Sequence, residues 1–131
     1  MIHFIQTHSL DIAQFDGILA VPLSSTRFRE RGYNQAALLA EEIARHFQLP
    51  VSRDNLIRVR HTQNQARIAV KNRWTNLQGA FRIQHSFQFL EKSVLLVDDL
   101  FTTGTTVSEA ARVLKEAGAR RVDVLTVALA L

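Results

Sequence analysis

A chain of 131 residues with 47% hydrophobic and 21% charged residues has ordinary globular composition, enough for one buried core and too apolar for wholesale disorder. It has no cysteine, which excludes disulfides and thiolate metal sites and fits a reducing cytoplasm. No apolar run approaches the ~18 residues of a membrane span and no signal peptide opens the chain, so a soluble cytoplasmic protein is expected.

The net charge of +4 is unevenly placed. Residues 53–82 carry Arg53, Arg58, Arg60, Arg67, Lys71, Arg73 and Arg82 against Asp54 alone, a local balance of +6. Such a block suits a polyanion or a phosphorylated small molecule, although a solvated basic helix has the same composition.

In chain order, residues 1–15 show no clear pattern and read as an N-terminal arm, with the domain proper over 16–131. Asp16 to Leu23 is a compact apolar run ending at a proline, a strand. A polar loop with three arginines follows from Ser24 to Gly32. Asn34 is placed to cap a helix whose Ala36, Leu39, Ala40, Ile43 and Phe47 recur at helical spacing, with Pro50 beyond its end. Val51 to Val59 includes a strand with soft boundaries. Residues 61–80 read as a mobile loop leading into a helix, and Phe81 to Ile83 as a short strand. His61 and His85 are lone histidines better suited to surface or structural roles, and Trp74 is a packing residue.

The densest signal comes next. Val94 to Val97 is continuously apolar, as a strand buried on both faces must be, and Asp98-Asp99-Leu100-Phe101-Thr102-Thr103-Gly104-Thr105-Thr106 follows where that strand is expected to emerge. Val107, Ala110, Ala111, Leu114 and Ala117 then form a helical stripe that Gly118 can stop, and Thr106 and Glu109 stand in capping-box register. Val122 to Leu131 is a last apolar strand. Alternating strands and helices predict an α/β domain with a mainly parallel sheet flanked by helices.

Hydroxyls, a glycine and helix N-terminal amides make a phosphate cradle, and two adjacent carboxylates suit ligand hydroxyls. The motif lacks the GxxxxGK[ST] of Walker loops and the three spaced glycines of a dinucleotide site. A receiver domain needs a further aspartate at a later strand's end, whereas Asp123, the sole later aspartate, falls near a strand's beginning. A capped helix after a buried strand explains the cap but not two acids with four threonines.

The apolar quartet, paired acids and Thr-Thr-Gly-Thr-Thr resemble the phosphoribosyl-diphosphate (PRPP) motif of type I phosphoribosyltransferases. That resemblance implies a single-domain phosphoribosyltransferase-like fold, with Asp98 and Asp99 on the ribose hydroxyls and Thr102, Thr103, Gly104, Thr105 and Thr106 around the 5-phosphate. Upstream, Val21-Pro22-Leu23 with Arg27 to Gln35 resembles the first-strand loop of the ComF competence family, also called the GntX type. So do Arg58, Arg60, Thr62, Gln63, Gln65 and Arg67, then Arg73, Asn76, Gly79, Ala80 and Phe81. By the same resemblance, Ser24 to Gly32 receives pyrophosphate with Arg27 and Arg31 as charge partners. The segment with Arg60, Thr62, Gln63 and Arg67 closes over the site. Magnesium bridges ligand oxygens, held only indirectly by Asp98 and Asp99.

Typical members carry an N-terminal zinc ribbon with paired cysteines; this chain has none, so it is expected to be either a piece without the ribbon or a naturally reduced member. Zinc and ribbon-based contacts do not transfer. Two functions remain open at this point. One is a transferase that moves the phosphoribosyl group to a nitrogenous acceptor with release of pyrophosphate, with no residue assignable as general base. The other is a non-catalytic module of the competence machinery that senses PRPP or a nucleotide, or touches single-stranded DNA during uptake. Partners implied by the family are a second copy or another competence protein. With only Trp74 and Phe81 interleaved in the basic block, composition favours phosphate handling over base stacking.

Overall fold

The computed structural model describes residues 11–23, 29, 32–59, 79–101 and 105–129, with the backbone alone at 99–101, 105 and 127–129. Its framework is a three-stranded parallel sheet of β1 (Gly17–Ala20), β4 (Ser93–Phe101) and β5 (Arg121–Leu129), with β4 in the middle. Two further strands, β2 (Leu56–Arg58) and β3 (Phe81–Ile83), pair antiparallel in a small separate sheet. Two helices, α1 (Gln35–Phe47) and α2 (Thr105–Glu116), cover opposite faces of the parallel sheet.

The continuous apolar run of β4 follows from that double cover. Val94 and Leu96 cluster with Leu19 of β1 and with Val107, Ala110 and Leu114 of α2. Leu95 and Val97 cluster with Ile18 and with Ala36, Ala40, Ile43 and Ala44 of α1. Strand alternation thus sends every second residue to each helix, and none of Val94 to Val97 faces water. Burying such an aliphatic side chain contributes roughly 1.5–3 kcal/mol, so this strand is the main packing element of the domain.

Local signals place both helices. Asn34 accepts the amides of Ala36 and Ala37 at 3.0 and 3.3 Å, a side-chain cap, and Gln48 ends α1 in the left-handed conformation at φ 57°. After α2, Gly118 sits at φ +101°, and a Cβ there would lie 2.6 Å from Leu90 Cδ1. Only glycine meets both demands without a shift in Leu90.

The structure refines the sequence reading in one place and departs from it in two. The strand expected within 51–59 is β2, Leu56–Arg58, while Val51 makes an isolated parallel bridge to Ile18 and the chain leaves the parallel sheet before Leu56. Asn55 drives the departure. Its buried amide donates to the His85 carbonyl at 3.0 Å and to Gln88 Oε1 at 2.7 Å, and accepts the His85 amide at 2.7 Å. Second, the patternless start contributes to the core: Ile12, in a short 3-10 turn, and Phe15 are buried against α1. Third, Thr106 lies inside the first turn of α2 and Glu109 forms no capping box. Its carboxylate is engaged by Arg112 and by the amide of Gly79 instead. The helix expected within 61–80 lies, up to residue 78, outside the described residues, as do His61 and Trp74.

Candidate functional site

The sheet has a polarity that selects one end. β1 stops pairing with β4 at Ala20 opposite Val97, and the amide of Val21 makes a last bond to the Val97 carbonyl at 2.9 Å. From Asp98 onward, among the described residues, β4 keeps only β5, through Thr126, Ala128 and Leu129. The acids therefore lie within β4 rather than in a loop after it, because β5 pairing holds the backbone extended. On the β1 side, however, Asp98 is the first residue beyond a strand neighbour, half-buried beside fully buried Val97.

At this same end α1 departs from β1 toward one face of the sheet and α2 departs from β4 toward the other. Neighbouring parallel strands whose following helices diverge leave a crevice outside their carboxyl ends, the usual ligand position in open α/β sheets. Its β1 wall is tied down by Asn34, whose amide nitrogen donates to the Val21 carbonyl at 3.1 Å while its oxygen caps α1. Its β4 wall leads to the N-terminus of α2 at Thr105, within the threonine and glycine run. First-turn amides and the positive end of the helix dipole are thus carried to the crevice.

Among the residues singled out in the sequence, the structure brings Asp98, Asp99, Thr105 and Thr106 to this end, Asp99 and Thr105 by their backbone. Thr102, Thr103, Gly104, Arg27, Arg31, Arg60, Thr62, Gln63 and Arg67 lie outside the described residues. Arg58 is a structural member: its guanidinium lies 5.3 Å from the Phe81 ring centre and donates to the Pro22 carbonyl at 3.4 Å. That bond ties the small sheet to the exit of β1. Arg53 of the basic block is held by both oxygens of Glu41, at 2.5 and 2.8 Å, whereas Arg82 is exposed. His85 is exposed beside Phe87, in keeping with a surface role.

Among the described residues, cavities lie at both ends of β1. One of 250 Å³ lies at its carboxyl end, lined by Ala20, Pro22, Asn34, Glu41 and Asp54 among others. The other, 300 Å³, sits at the amino end beside Gly17, Phe89 and Val94. The second is larger and mostly apolar, yet it lies away from the strand ends where the charged and hydroxyl-bearing residues converge. Among the described residues no group of three or more His, Asp or Glu is arranged to hold a metal ion.

Sequence reasoning missed the partner of Glu109. This acid is 2% exposed, and Arg112 grips it with two donors, Nε at 2.9 Å and Nη2 at 2.5 Å, while Gly79 donates its amide at 3.2 Å. The Arg112 hydrogen bond holds the Glu109 carboxyl below the usual carboxylate range, against the opposing effect of burial. An i, i+3 spacing of Glu and Arg on α2 hints at that pair, but no local pattern reveals Gly79, thirty residues upstream.

A family model described as "Phosphoribosyl transferase domain" matches residues 34–130, which takes in α1, the strand-borne acids and all of α2. The chain belongs to the phosphoribosyl transferase domain family. Among its relatives, competence protein F of Haemophilus influenzae is 37% identical over 91% of this chain and 52% of its own length. The DNA utilization protein YhgH of Salmonella typhi is 38% identical over 83% of this chain and 47% of its own. The chain spans about half the length of these curated relatives. The purine phosphoribosyltransferase of Pyrococcus horikoshii superposes with a TM-score of 0.59 at 17% identity, covering 96% of this chain and 69% of that one. That likeness confirms the fold: a parallel sheet with helices on both faces, as the alternating sequence pattern predicted. No helix among the described residues is long and apolar enough to cross a membrane.

Proposed function

We propose that this domain binds PRPP in the crevice at the carboxyl ends of β1 and β4. Asp98 and Asp99 accept the ribose hydroxyls, and residues 102–106 with the N-terminus of α2 enclose the 5-phosphate. Arg27 and Arg31 of the loop after β1 meet the pyrophosphate, and the segment of Arg60, Thr62, Gln63 and Arg67 closes the site. The observation that carries this reading is the place of Asp98, the first residue of β4 past the end of β1, one short run before a helix N-terminus. Hydroxyl acceptors and phosphate donors thereby stand at opposite ends of one short segment, as a phosphorylated sugar requires.

Positions 98 and 99 are consecutive in a strand and belong to opposite faces, so the donor set does not suit a metal chelated directly by both. It suits magnesium bound mainly by ligand oxygens, which would neutralise the pyrophosphate charge. The reaction class proposed is displacement of pyrophosphate from the anomeric carbon by a nitrogen nucleophile. The names of the relatives point to competence and DNA utilization as the setting, with single-stranded DNA as a second ligand for the basic segment.

Calorimetry and thermal melting with magnesium-PRPP test the reading. Binding and a raised Tm are expected for the wild type, and Asp98→Asn with Asp99→Asn should abolish the shift. A folded wild type that gives no heat at millimolar PRPP would sink it. Pyrophosphate release that depends on an added base then separates a transferase from a sensor.

A further inference from the structure

Glu109 presents a physical problem. A carboxylate that is 2% exposed has lost its water, and a leucine or glutamine would fill the same volume without that penalty. Its replacement for water is specific: two guanidinium donors from Arg112, which also reaches Glu116, and the amide of Gly79. Buried ion pairs add little net stability but hold one arrangement against others. The arrangement held here joins α2 to the chain just before β3, where Gly79 adopts φ +79° and Ala80 is fully buried. The same junction is fastened to β2 by the Val59 amide on the Ala80 carbonyl at 2.6 Å.

Glu109 is four residues after Thr105, one helical turn or about 6 Å along the axis from the start of α2. The apolar stripe of Val107, Ala110 and Leu114 keeps the helix on the sheet. Such packing is non-directional and tolerates rotation or sliding more readily than a two-pronged pair does. We infer that Glu109, locked by Arg112 and the Gly79 amide, is a positioning residue that sets the pose of the first turn of α2 and thereby of the helix amides that meet the 5-phosphate. The inference rests on the ligand reading above but predicts something that reading does not: dependence of one ligand moiety on a residue that never touches it.

Ribose 5-phosphate and inorganic pyrophosphate are the probes, because each takes one half of PRPP. In Glu109→Gln, ribose 5-phosphate and PRPP should weaken alike by about ten-fold, while pyrophosphate changes by less than about two-fold. The double variant Glu109→Leu with Arg112→Leu removes the buried charge and should melt near the wild type, yet keep the selective loss of ribose 5-phosphate. Its Gly79 amide, deprived of an acceptor, should exchange hydrogen faster. Equal weakening of both probes, or recovery of ribose 5-phosphate binding along with Tm in the double variant, would show a merely structural role and overturn the inference. So would unchanged exchange at Gly79. A wild type that binds neither probe nor PRPP overturns the ligand reading itself, while the exchange measurement still decides whether Glu109 holds the junction.

Discussion

Asn34 joins the exit of β1 to the start of α1, and replacing it separates two energies. Asn34→Ala removes the acceptor of the Ala36 and Ala37 amides, a cap worth about 1 kcal/mol. It also removes the donor to the Val21 carbonyl, a bond between half-buried and buried residues worth about 1 kcal/mol more. The loss is therefore about 2 kcal/mol. Unfolding entropy for a chain of this length is on the order of 0.28 kcal/mol/K, so Tm should fall by about 7 °C. Asn34→Ser retains a hydroxyl acceptor for the helix amides but cannot reach Val21, and should lose about half as much. Guanidinium denaturation read by circular dichroism should show a lower midpoint at unchanged slope for both variants. Equal losses in the two, or a loss below about 0.5 kcal/mol in the alanine variant, would refute the division of labour assigned to this side chain.

Two further outcomes are expected. Because the Arg112 hydrogen bond lowers the Glu109 pKa in the folded state, its contribution is fully present above about pH 4.3, where an unfolded glutamate titrates, and is lost as pH falls through the lower folded value. Glu109→Gln should flatten that part of the acid limb in a pH series of denaturation midpoints, and an unchanged limb would contradict the assignment. If the basic segment meets single-stranded DNA, affinity should fall steeply with salt, and replacing Arg67, Lys71 or Arg73 by alanine should each reduce the logarithmic slope by about 0.7. Binding that ignores salt would reject the DNA reading.

Much of the candidate site was legible because its parts are neighbours in the chain. The apolar quartet, the paired acids, the threonine and glycine run and the helix stripe lie within 94–117, and short-range spacing reports them well. The same holds for Asn34, since a cap acts on amides two and three residues ahead. The stretch 51–59 was legible as holding a strand but not by sheet, because its apolar content suits either one. Only the hydrogen bonds of Asn55 to residues 85 and 88 show which one it joins. The capping-box spacing at Thr106 and Glu109 misled for a related reason: a local partner was available, but a desolvated carboxylate found stronger donors in Arg112 and Gly79.

By itself the sequence determined the α/β alternation, the double cover of β4 and the clustering of paired acids, threonines and a glycine between that strand and the next helix, all of which are set by periodicity and residue chemistry over a turn or two. Tertiary structure alone decided that β1 ends opposite Val97, leaving Asp98 at the mouth of the crevice, and that Gly79 meets Glu109 across the start of β3. Those two facts depend on where distant strands stop and which distant amide reaches a buried charge. Such choices are made by closing loops and satisfying desolvated groups across the whole domain, and no window of local sequence contains them.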